Sequence, residues 1–113
     1  MLRFELPFRL PSCNEYINAC RSNMYAGATM KKRCEDAIAT FLKGHIDGDV
    51  RFIGEWHEPN KRRDIDNIIF AKKFIFDALQ EKGIIENDKQ IKEIIEKVIY
   101  DGKEKIIFEI VNV

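Results

Sequence analysis

Both ends of the chain alternate between apolar and polar side chains, which is the spacing of a β-strand. Residues 2–10 place leucine and phenylalanine on one side and charged residues on the other, until Pro7 interrupts the pattern and Pro11 ends it. Near the C-terminus, every second residue is apolar, at Ile106, Phe108 and Ile110. The sequence therefore predicts a strand at each end of the chain.

The middle of the chain carries helical spacing and one further strand. Residues 14–21 predict a short helix, residues 30–42 predict a longer one, and residues 50–57 predict a strand. The strongest helical pattern covers residues 65–82, and Gly83 follows it, as glycine commonly does at a helix C-terminus. Up to this point the predicted order is strand, helix, helix, strand, helix.

Two interpretations are open for residues 91–100, whose apolar residues would also suit a helix. The dipeptide Asp101-Gly102 favours a two-residue hairpin that joins roughly residues 95–100 to residues 104–112. The predicted order is then β-α-α-β-α-β-β. It describes a single small α+β domain, residues 1–113, with helices packed on a mixed sheet of about four strands.

The formal charge of the chain sums to zero, because nineteen Lys and Arg balance nineteen Asp and Glu. That sum argues against a histone-like basic coat and against a polybasic membrane binder. The two parts of the chain differ, however. Residues 1–63 carry 11 basic and 8 acidic side chains, and residues 64–113 carry 8 basic and 11 acidic ones.

The N-terminal segment and the cysteines predict a cytoplasmic protein. Arg3 and Glu5 interrupt the first positions, so no signal peptide is recognisable, and no apolar run approaches the ~20 residues of a membrane helix. The three cysteines form no Cys-x-x-Cys pair, and neither histidine is spaced to complete a zinc site with them. We interpret them as small hydrophobic residues in a reducing compartment.

Two carboxylates, Asp64 and Asp66, stand where a basic segment (residues 61–63) leads into the predicted helix. Helix N-termini favour aspartate, so one interpretation is structural, with Asp64 as N-cap and Asp66 in the first turn. A calcium loop is excluded, because Ile68 and Ile69 occupy positions that would need oxygen ligands and glycine. The other interpretation is a site for a different metal.

The geometry of the predicted helix places charged residues on one face. At about 100° per residue, Asp66, Lys73 and Asp77 fall within about 20° of one line. Lys73 and Asp77 are also four residues apart, a spacing typical of a surface ion pair. Lys72 lies among apolar positions, so it either snorkels or faces something other than the core.

A third carboxylate, Asp88, follows the turn that ends the helix and could return toward the helix start. Three converging carboxylates with a lysine nearby suit a magnesium-dependent phosphodiesterase, because Mg²⁺ takes oxygen ligands and keeps several waters. One such water can become the nucleophile, while the metal and the lysine offset the phosphate charge. The residues therefore point to Mg²⁺ as the cofactor.

The order of these motifs resembles the RusA family of Holliday-junction resolvases. The resemblance spans residues 10–90 and rests on Leu10-Pro11-Ser12-Cys13-Asn14, Arg63-Asp64-Ile65-Asp66-Asn67, Lys73, Asp77-Ala78-Leu79, Gly83, Asn87-Asp88 and Gln90. It implies an endodeoxyribonuclease that resolves four-way DNA junctions by paired symmetrical nicks in recombination and repair. It also implies Asp64, Asp66 and Asp88 as catalytic, Mg²⁺-binding carboxylates and Lys73 as the catalytic lysine.

One interval departs from the family pattern, since the stretch from Asp66 to Asp77 is longer here by about three residues, close to one helical turn. Counting forward from the first carboxylate would place the catalytic lysine at Phe70, which cannot act as one. Counting back from Asp77 gives Lys73, and an insertion of about one turn keeps that lysine on the face of Asp66. Lys72 remains the alternative.

Further residues around the acidic site are predicted to contact DNA. Most of them would contact flanking phosphates. The residues are Asn14, Lys61, Arg62, Arg63, Asn67 and Lys72. Asn67 could also fix Asp66 through a hydrogen bond, and Asn14 is carried by the resemblance alone. A two-fold junction that needs two cuts predicts a homodimer with one acidic cluster per chain.

Other function classes stay open at this point. One is a non-catalytic module that binds DNA junctions or duplexes, in which the acidic pair only caps a helix. A second is a metal-dependent nuclease for flap or RNA substrates, with the same site chemistry. A third, a protein-interaction domain built on the apolar helix face, is favoured only by the position of Lys72.

Overall fold

The order of strands and helices predicted from the sequence is confirmed in a computed structural model, which describes residues 1–113. The elements are β1 (Leu2–Leu6), α1 (Cys13–Ser22), α2 (Ala26–Ala39), β2 (Val50–Glu58), α3 (Ile65–Ile69), α4 (Lys72–Glu81), a 3₁₀ turn (Asp88–Gln90), β3 (Ile91–Tyr100) and β4 (Lys105–Asn112). The fold class is α+β, as expected. None of the helices has the length and apolar character needed to cross a membrane.

The four strands form one mixed sheet in the order β1-β4-β2-β3. Strand β4 runs antiparallel to both β1 and β2, with Phe108 opposite Phe4 on one side and opposite Gly54 on the other. Strand β3 pairs with β2 in parallel. Parallel neighbours need a long crossover connection, and helices α3 and α4 supply it.

Residues 91–100 form a strand, which settles the open choice between helix and strand, but the predicted hairpin to residues 104–112 is wrong. Strand β2 lies between β3 and β4, so the two strands around Asp101-Gly102 do not pair with each other. The turn itself forms, with Gly102 at a φ of 79°. Its N–H reaches across to the carbonyl of Glu58 at the end of β2, at 3.2 Å. A turn motif specifies only its own backbone, whereas strand neighbours depend on the whole sheet.

The core lies between one face of the sheet and helices α2 and α4. The largest buried side chains come from both layers and include Phe52, Trp56, Phe74, Phe108, Ile38, Ile75 and Leu79. Gly54 makes room for two of the aromatic rings, because a Cβ at that position would lie 2.9 Å from the Phe52 ring and 3.2 Å from Nε1 of Trp56. Any side chain at position 54 would therefore displace residues of the core.

The single helix predicted over residues 65–82 is divided at Phe70–Ala71 into α3 and α4. At this point the N–H groups of Ala71, Lys73 and Phe74 bond to carbonyls three residues back, as in a 3₁₀ helix. Such a turn aligns residues three apart, and Ile68, Ala71 and Phe74 are all buried. The tightened turn thus aligns these three apolar residues on the buried side.

The loop between α2 and β2 is joined to the end of α4 by His45. Its Nδ1 lies 2.6 Å from the Gly83 carbonyl oxygen and its Nε2 lies 2.7 Å from Oδ1 of Asp47. Both partners accept hydrogen bonds, so both ring nitrogens must donate, which only the imidazolium can do. The bonds to Gly83 and to Asp47 raise the pKa of His45 above its ordinary value of about 6.5.

We predict that this link stabilises the folded protein below pH 6.5 and is lost as the pH rises through the raised folded pKa of His45. The thermal midpoints of the wild type and His45→Ala should therefore differ most at low pH and converge at high pH. Lys43→Ala, at an exposed neighbour without such bonds, is the control. A difference that grows with pH would contradict the assignment.

Candidate functional site

Asp64 and Asp66 stand at the start of α3, and neither carboxylate has a partner within the chain. Asp64 occupies the N-cap position with φ −73° and ψ 157°, but its side chain makes no capping hydrogen bond. Asp66 lies in the first turn, and both residues are exposed. Most other acidic side chains form ion pairs, whereas these two form none. A capping hydrogen bond therefore does not account for Asp64, while Asp66 stands in the first turn of the helix, where the structural interpretation also placed it.

The basic segment before α3 divides into free and engaged side chains. Lys61 and Arg62 are exposed and form no ion pair. Arg63 instead donates from Nη1 to the Leu10 carbonyl at 3.0 Å and from Nη2 to Oε1 of Glu15 at 2.5 Å. Its guanidinium is thus committed to the protein, and only its two neighbours present unpaired positive charge.

Asp88 begins the 3₁₀ turn, which side-chain amides hold in place. The Asp88 N–H donates to Oε1 of Gln80 in α4 at 3.0 Å. Gln90 accepts from the N–H of Glu86 at 2.7 Å and donates to the Gly48 carbonyl at 2.9 Å, so it ties the turn to the loop before β2. The Asp88 carboxylate itself is exposed and unpaired. The backbone of the 3₁₀ turn is therefore fixed, while the Asp88 carboxylate stays free.

A cleft of about 410 Å³ brings some of the predicted residues together. It is lined by Phe70, Lys72, Lys73, Phe76, Asp77 and Asp88. Asp64 and Asp66 lie outside this lining, and no three Asp, Glu, His or Cys side chains are close enough together to hold a metal ion. The chain therefore unites both lysines with Asp88 but does not preassemble a site of three carboxylates.

The two candidate lysines differ in their surroundings. Nζ of Lys72 lies 2.9 Å from Oε1 of Glu96 and donates to the Ile69 carbonyl at 3.0 Å. The Glu96 side chain is only 8% exposed and also accepts from Nε1 of Trp56 at 2.8 Å. Lys72 thus faces a buried carboxylate, which explains its place among apolar positions. Lys73 is exposed and has no such partner.

The surface ion pair that the spacing of Lys73 and Asp77 would allow does not form. Asp77 pairs instead with Lys31 of α2, at 3.2 Å, and that hydrogen bond raises the pKa of Lys31. Helices α2 and α4 pack against each other, which brings this partner to Asp77 from outside its own helix. Lys73 is left with a free ammonium group at the cleft.

Asn67 and Asn14 are linked directly to each other. The Asn67 Oδ1 accepts from the backbone N–H of Asn14 at 3.1 Å, which joins α3 to the start of α1. No hydrogen bond joins Asn67 to Asp66, so the hypothesis that Asn67 fixes that carboxylate directly is not what the structure shows. The side chain of Asn14 remains exposed.

The model of the family named Endodeoxyribonuclease RusA matches residues 11–111. The chain belongs to the RusA endodeoxyribonuclease family. RusA enzymes are Holliday-junction resolvases that hydrolyse phosphodiester bonds, and four-way DNA junctions are their substrates. Nucleases of this kind generally use a divalent metal. No curated protein matches the chain significantly.

Three carboxylates that support the site of this RusA-family chain were missed by reasoning from the sequence. Glu15, Glu58 and Glu96 each hold a basic side chain of the site region. A signal existed only for Glu96, because a lysine among apolar positions implies a buried acidic partner. For Glu15 the sequence gives no indication of an arginine 48 residues away, and for Glu58 it gives none of Arg9, 49 residues away, or of Arg63 at the start of the next helix.

We predict that Lys72→Ala destabilises the folded protein by about 1–3 kcal/mol, because the largely buried Glu96 carboxylate loses its only cation. Lys73→Ala, at an exposed and unpaired position, should change the free energy of unfolding by less than about 0.5 kcal/mol. Urea denaturation followed by circular dichroism measures both. Equal losses in the two variants would show that the Lys72–Glu96 pair contributes nothing to stability.

Proposed function

We propose that this chain is a Mg²⁺-dependent endonuclease that resolves Holliday junctions by paired symmetrical nicks in DNA recombination and repair, in the cytoplasm. The main support is that the chain belongs to the RusA family and that the side chains of Asp64, Asp66, Asp88 and Lys73 form no ion pair within it. Most of the other carboxylates are paired within the chain, whereas these groups are free to bind a cofactor and substrate.

The chemistry of these carboxylates fits Mg²⁺. The ion prefers hard oxygen ligands and is usually bound by one or two carboxylates together with waters and substrate phosphates, rather than by a cage of protein ligands. A site that the protein alone does not complete is therefore compatible with this metal, with Asp64, Asp66 and Asp88 as its ligands. When bound, Mg²⁺ would offset phosphate charge and activate water.

The free basic residues have separate roles in this proposal. Lys73, at the cleft beside Asp88, stabilises the negative charge that develops on the scissile phosphate or on the leaving oxygen. Lys61 and Arg62 hold flanking phosphates, and the exposed side chain of Asn14 contacts DNA nearby. Lys72, tied to Glu96, contributes to the positive potential of the cleft.

The proposal also covers the domain content and the oligomeric state of the enzyme. Residues 1–113 act as a single domain, since β1 and β4 from the two ends of the chain pair in the same sheet. The enzyme acts as a homodimer, since one chain supplies one acidic set whereas a two-fold junction needs two cuts. An isologous pair of subunits presents two such sets in the symmetry of the substrate.

The competing classes differ from this proposal in their substrates and metal dependence. A non-catalytic junction-binding module would bind DNA without Mg²⁺ and make no nicks, and its acidic pair would serve as helix caps. The absence of a capping bond at Asp64 favours catalysis. A flap or RNA nuclease would cut those substrates as fast as a junction.

A cleavage assay with Mg²⁺ that compares a four-way junction with linear duplex, flap and RNA substrates tests the proposal. We expect two symmetry-related nicks in the junction and slow cleavage elsewhere. Asp66→Asn should abolish cleavage while leaving junction binding intact, because it removes a metal-ligand charge and keeps the side-chain shape. Glu81→Gln, at another exposed carboxylate without an ion pair, is the control. Unchanged cleavage by Asp66→Asn would refute the metal assignment.

We predict that Lys73→Ala slows junction cleavage by about 10²–10³-fold, the usual cost of removing a group that stabilises transition-state charge. Lys72→Ala should slow it far less when both variants are assayed at a temperature where both are folded. Single-turnover rates at saturating enzyme give the comparison. The opposite order would assign the catalytic role to Lys72.

A further inference from the structure

The segment that carries Asp64 and Asp66 is held at its N-terminal side by Arg63. This arginine directly precedes Asp64, and its guanidinium bonds to the Leu10 carbonyl at 3.0 Å and to Glu15 at 2.5 Å. Glu58 lies 3.9 Å away from the same guanidinium. Only 18% of the Arg63 side chain is exposed, so little of it is left for a phosphate.

Glu58 ties this arrangement to the end of β2. Its side chain is 3% exposed and pairs with Nη1 of Arg9 at 3.0 Å, and Arg9 in turn pairs with Glu104 at 3.1 Å. A carboxylate buried to this degree needs its cations, because loss of one leaves an uncompensated charge away from water. The position of Arg63 is therefore set by groups that cannot easily rearrange.

The same segment is held at its C-terminal side by Asn67. This residue directly follows Asp66, and its Oδ1 accepts from the N–H of Asn14 at 3.1 Å. The bond uses a backbone donor in the first turn of α1, where N–H groups have no partner within the helix. Asn67 and Arg63 therefore bracket the two aspartates, and both reach the start of α1.

The start of α1 is itself a rigid support. Ser12 and Glu15 form a capping box, with Ser12 Oγ accepting from the Glu15 N–H at 3.1 Å and Glu15 Oε1 accepting from the Ser12 N–H at 3.3 Å. Burial alone would raise the pKa of Glu15, but the hydrogen bonds from Ser12 and Arg63 outweigh it and lower the pKa. The carboxylate that receives Arg63 is thus ionised and fixed in place.

We propose that Arg63 and Asn67 are positioning residues, which clamp the Asp64–Asp66 segment to the start of α1 and so hold both carboxylates in place to bind the divalent metal. The inference rests on the proposed function. In it, the start of α1 is the support to which the two metal-binding aspartates are anchored. Partners that orient metal ligands typically contribute about 10–100-fold to metal affinity or activity. Both residues act through the aspartates, with no contact to DNA.

Glu15→Gln separates this role from a phosphate-binding role of Arg63. Glutamine keeps the capping box, since it serves at that position as well as glutamate, but it removes the charge that holds the guanidinium. If Arg63 bound phosphate, the change would release it and tighten junction binding without slowing cleavage. If Arg63 positions the aspartates, the change loosens them and slows cleavage instead.

Arg63→Lys is the second variant, because lysine keeps the charge and serves well as a phosphate point contact but cannot bond to two partners in a fork. Asp36→Asn is the control, since it removes one carboxylate from an exposed ion pair with Lys32 that includes no residue of the site. The measurements are the single-turnover rate, the junction Kd, the Mg²⁺ midpoint of cleavage and hydrogen exchange at Ile68 and Phe70.

The two amides report on the clamped segment directly, because Ile68 bonds to the Asp64 carbonyl at 3.1 Å and Phe70 to the Asp66 carbonyl at 3.3 Å. In both variants we expect faster exchange at these amides, cleavage slowed by about 10–100-fold, a higher Mg²⁺ midpoint and an unchanged or tighter Kd. Amides of β2 and β4 should keep their exchange rates, as should every amide in the control.

Exchange at Ile68 and Phe70 that is unchanged in both variants would overturn the proposal, as would a weakened Kd with an unchanged rate at saturation. The exchange measurement needs neither metal nor DNA. If the wild type cleaves no junction, the proposed function fails, while exchange still decides whether Arg63 clamps the segment.

Discussion

Strand β2 pairs along both of its edges, and the candidate site is positioned relative to it. Its antiparallel partner β4 brings the two ends of the chain into one sheet, while its parallel partner β3 requires the crossover through α3 and α4. The register with β3 sets Glu96 opposite Gly54, beside the Trp56 side chain that donates to it. The last residue of β2, Glu58, contacts the arginine that precedes Asp64.

Two largely buried carboxylates decide which of the nearby cations are available for chemistry. Glu58 engages Arg9 and approaches Arg63, and Glu96 engages Lys72, because a buried charge is stable only when it is paired and hydrogen-bonded. The cations left free in this region are those that no buried carboxylate reaches. Lys72 is engaged by Glu96, whereas Lys73 is not held by either carboxylate, so under the proposed function Lys73 is the lysine free to contact a substrate.

Local periodicity, together with the Asp101-Gly102 turn for residues 91–100, predicted the order and type of the elements, and it failed where distant parts of the chain decide. The alternation at Ile106, Phe108 and Ile110 predicted β4 correctly, because one face of that strand is buried and the other is not. The Asp101-Gly102 turn could not reveal that β2 would separate β3 from β4. The break at Phe70 was also hidden, since neither proline nor glycine marks it.

The candidate site shows the same division. Spacing and resemblance predicted the free carboxylates, because these candidate side chains lie close together along the sequence, between residues 64 and 88. Their supports come from elsewhere: Glu15 lies 48 residues from Arg63, and Asn14 lies 53 residues from Asn67. A sequence read in windows cannot pair such residues, since each one taken alone looks like an ordinary charged or polar surface position.

The zero net charge of the chain is reflected in the small number of unpaired basic side chains near Asp64 and Asp66. Internal pairing of Arg63 and Lys72 leaves few free cations beside the acidic site, chiefly Lys61, Arg62 and Lys73. Each phosphate contact makes the slope of log affinity against log salt more negative by about 0.9, and if these residues are the phosphate contacts, we expect generic duplex to bind weakly. Under the proposed function, selectivity then has to come from the shape of the junction and from the doubling of this surface in a two-fold dimer.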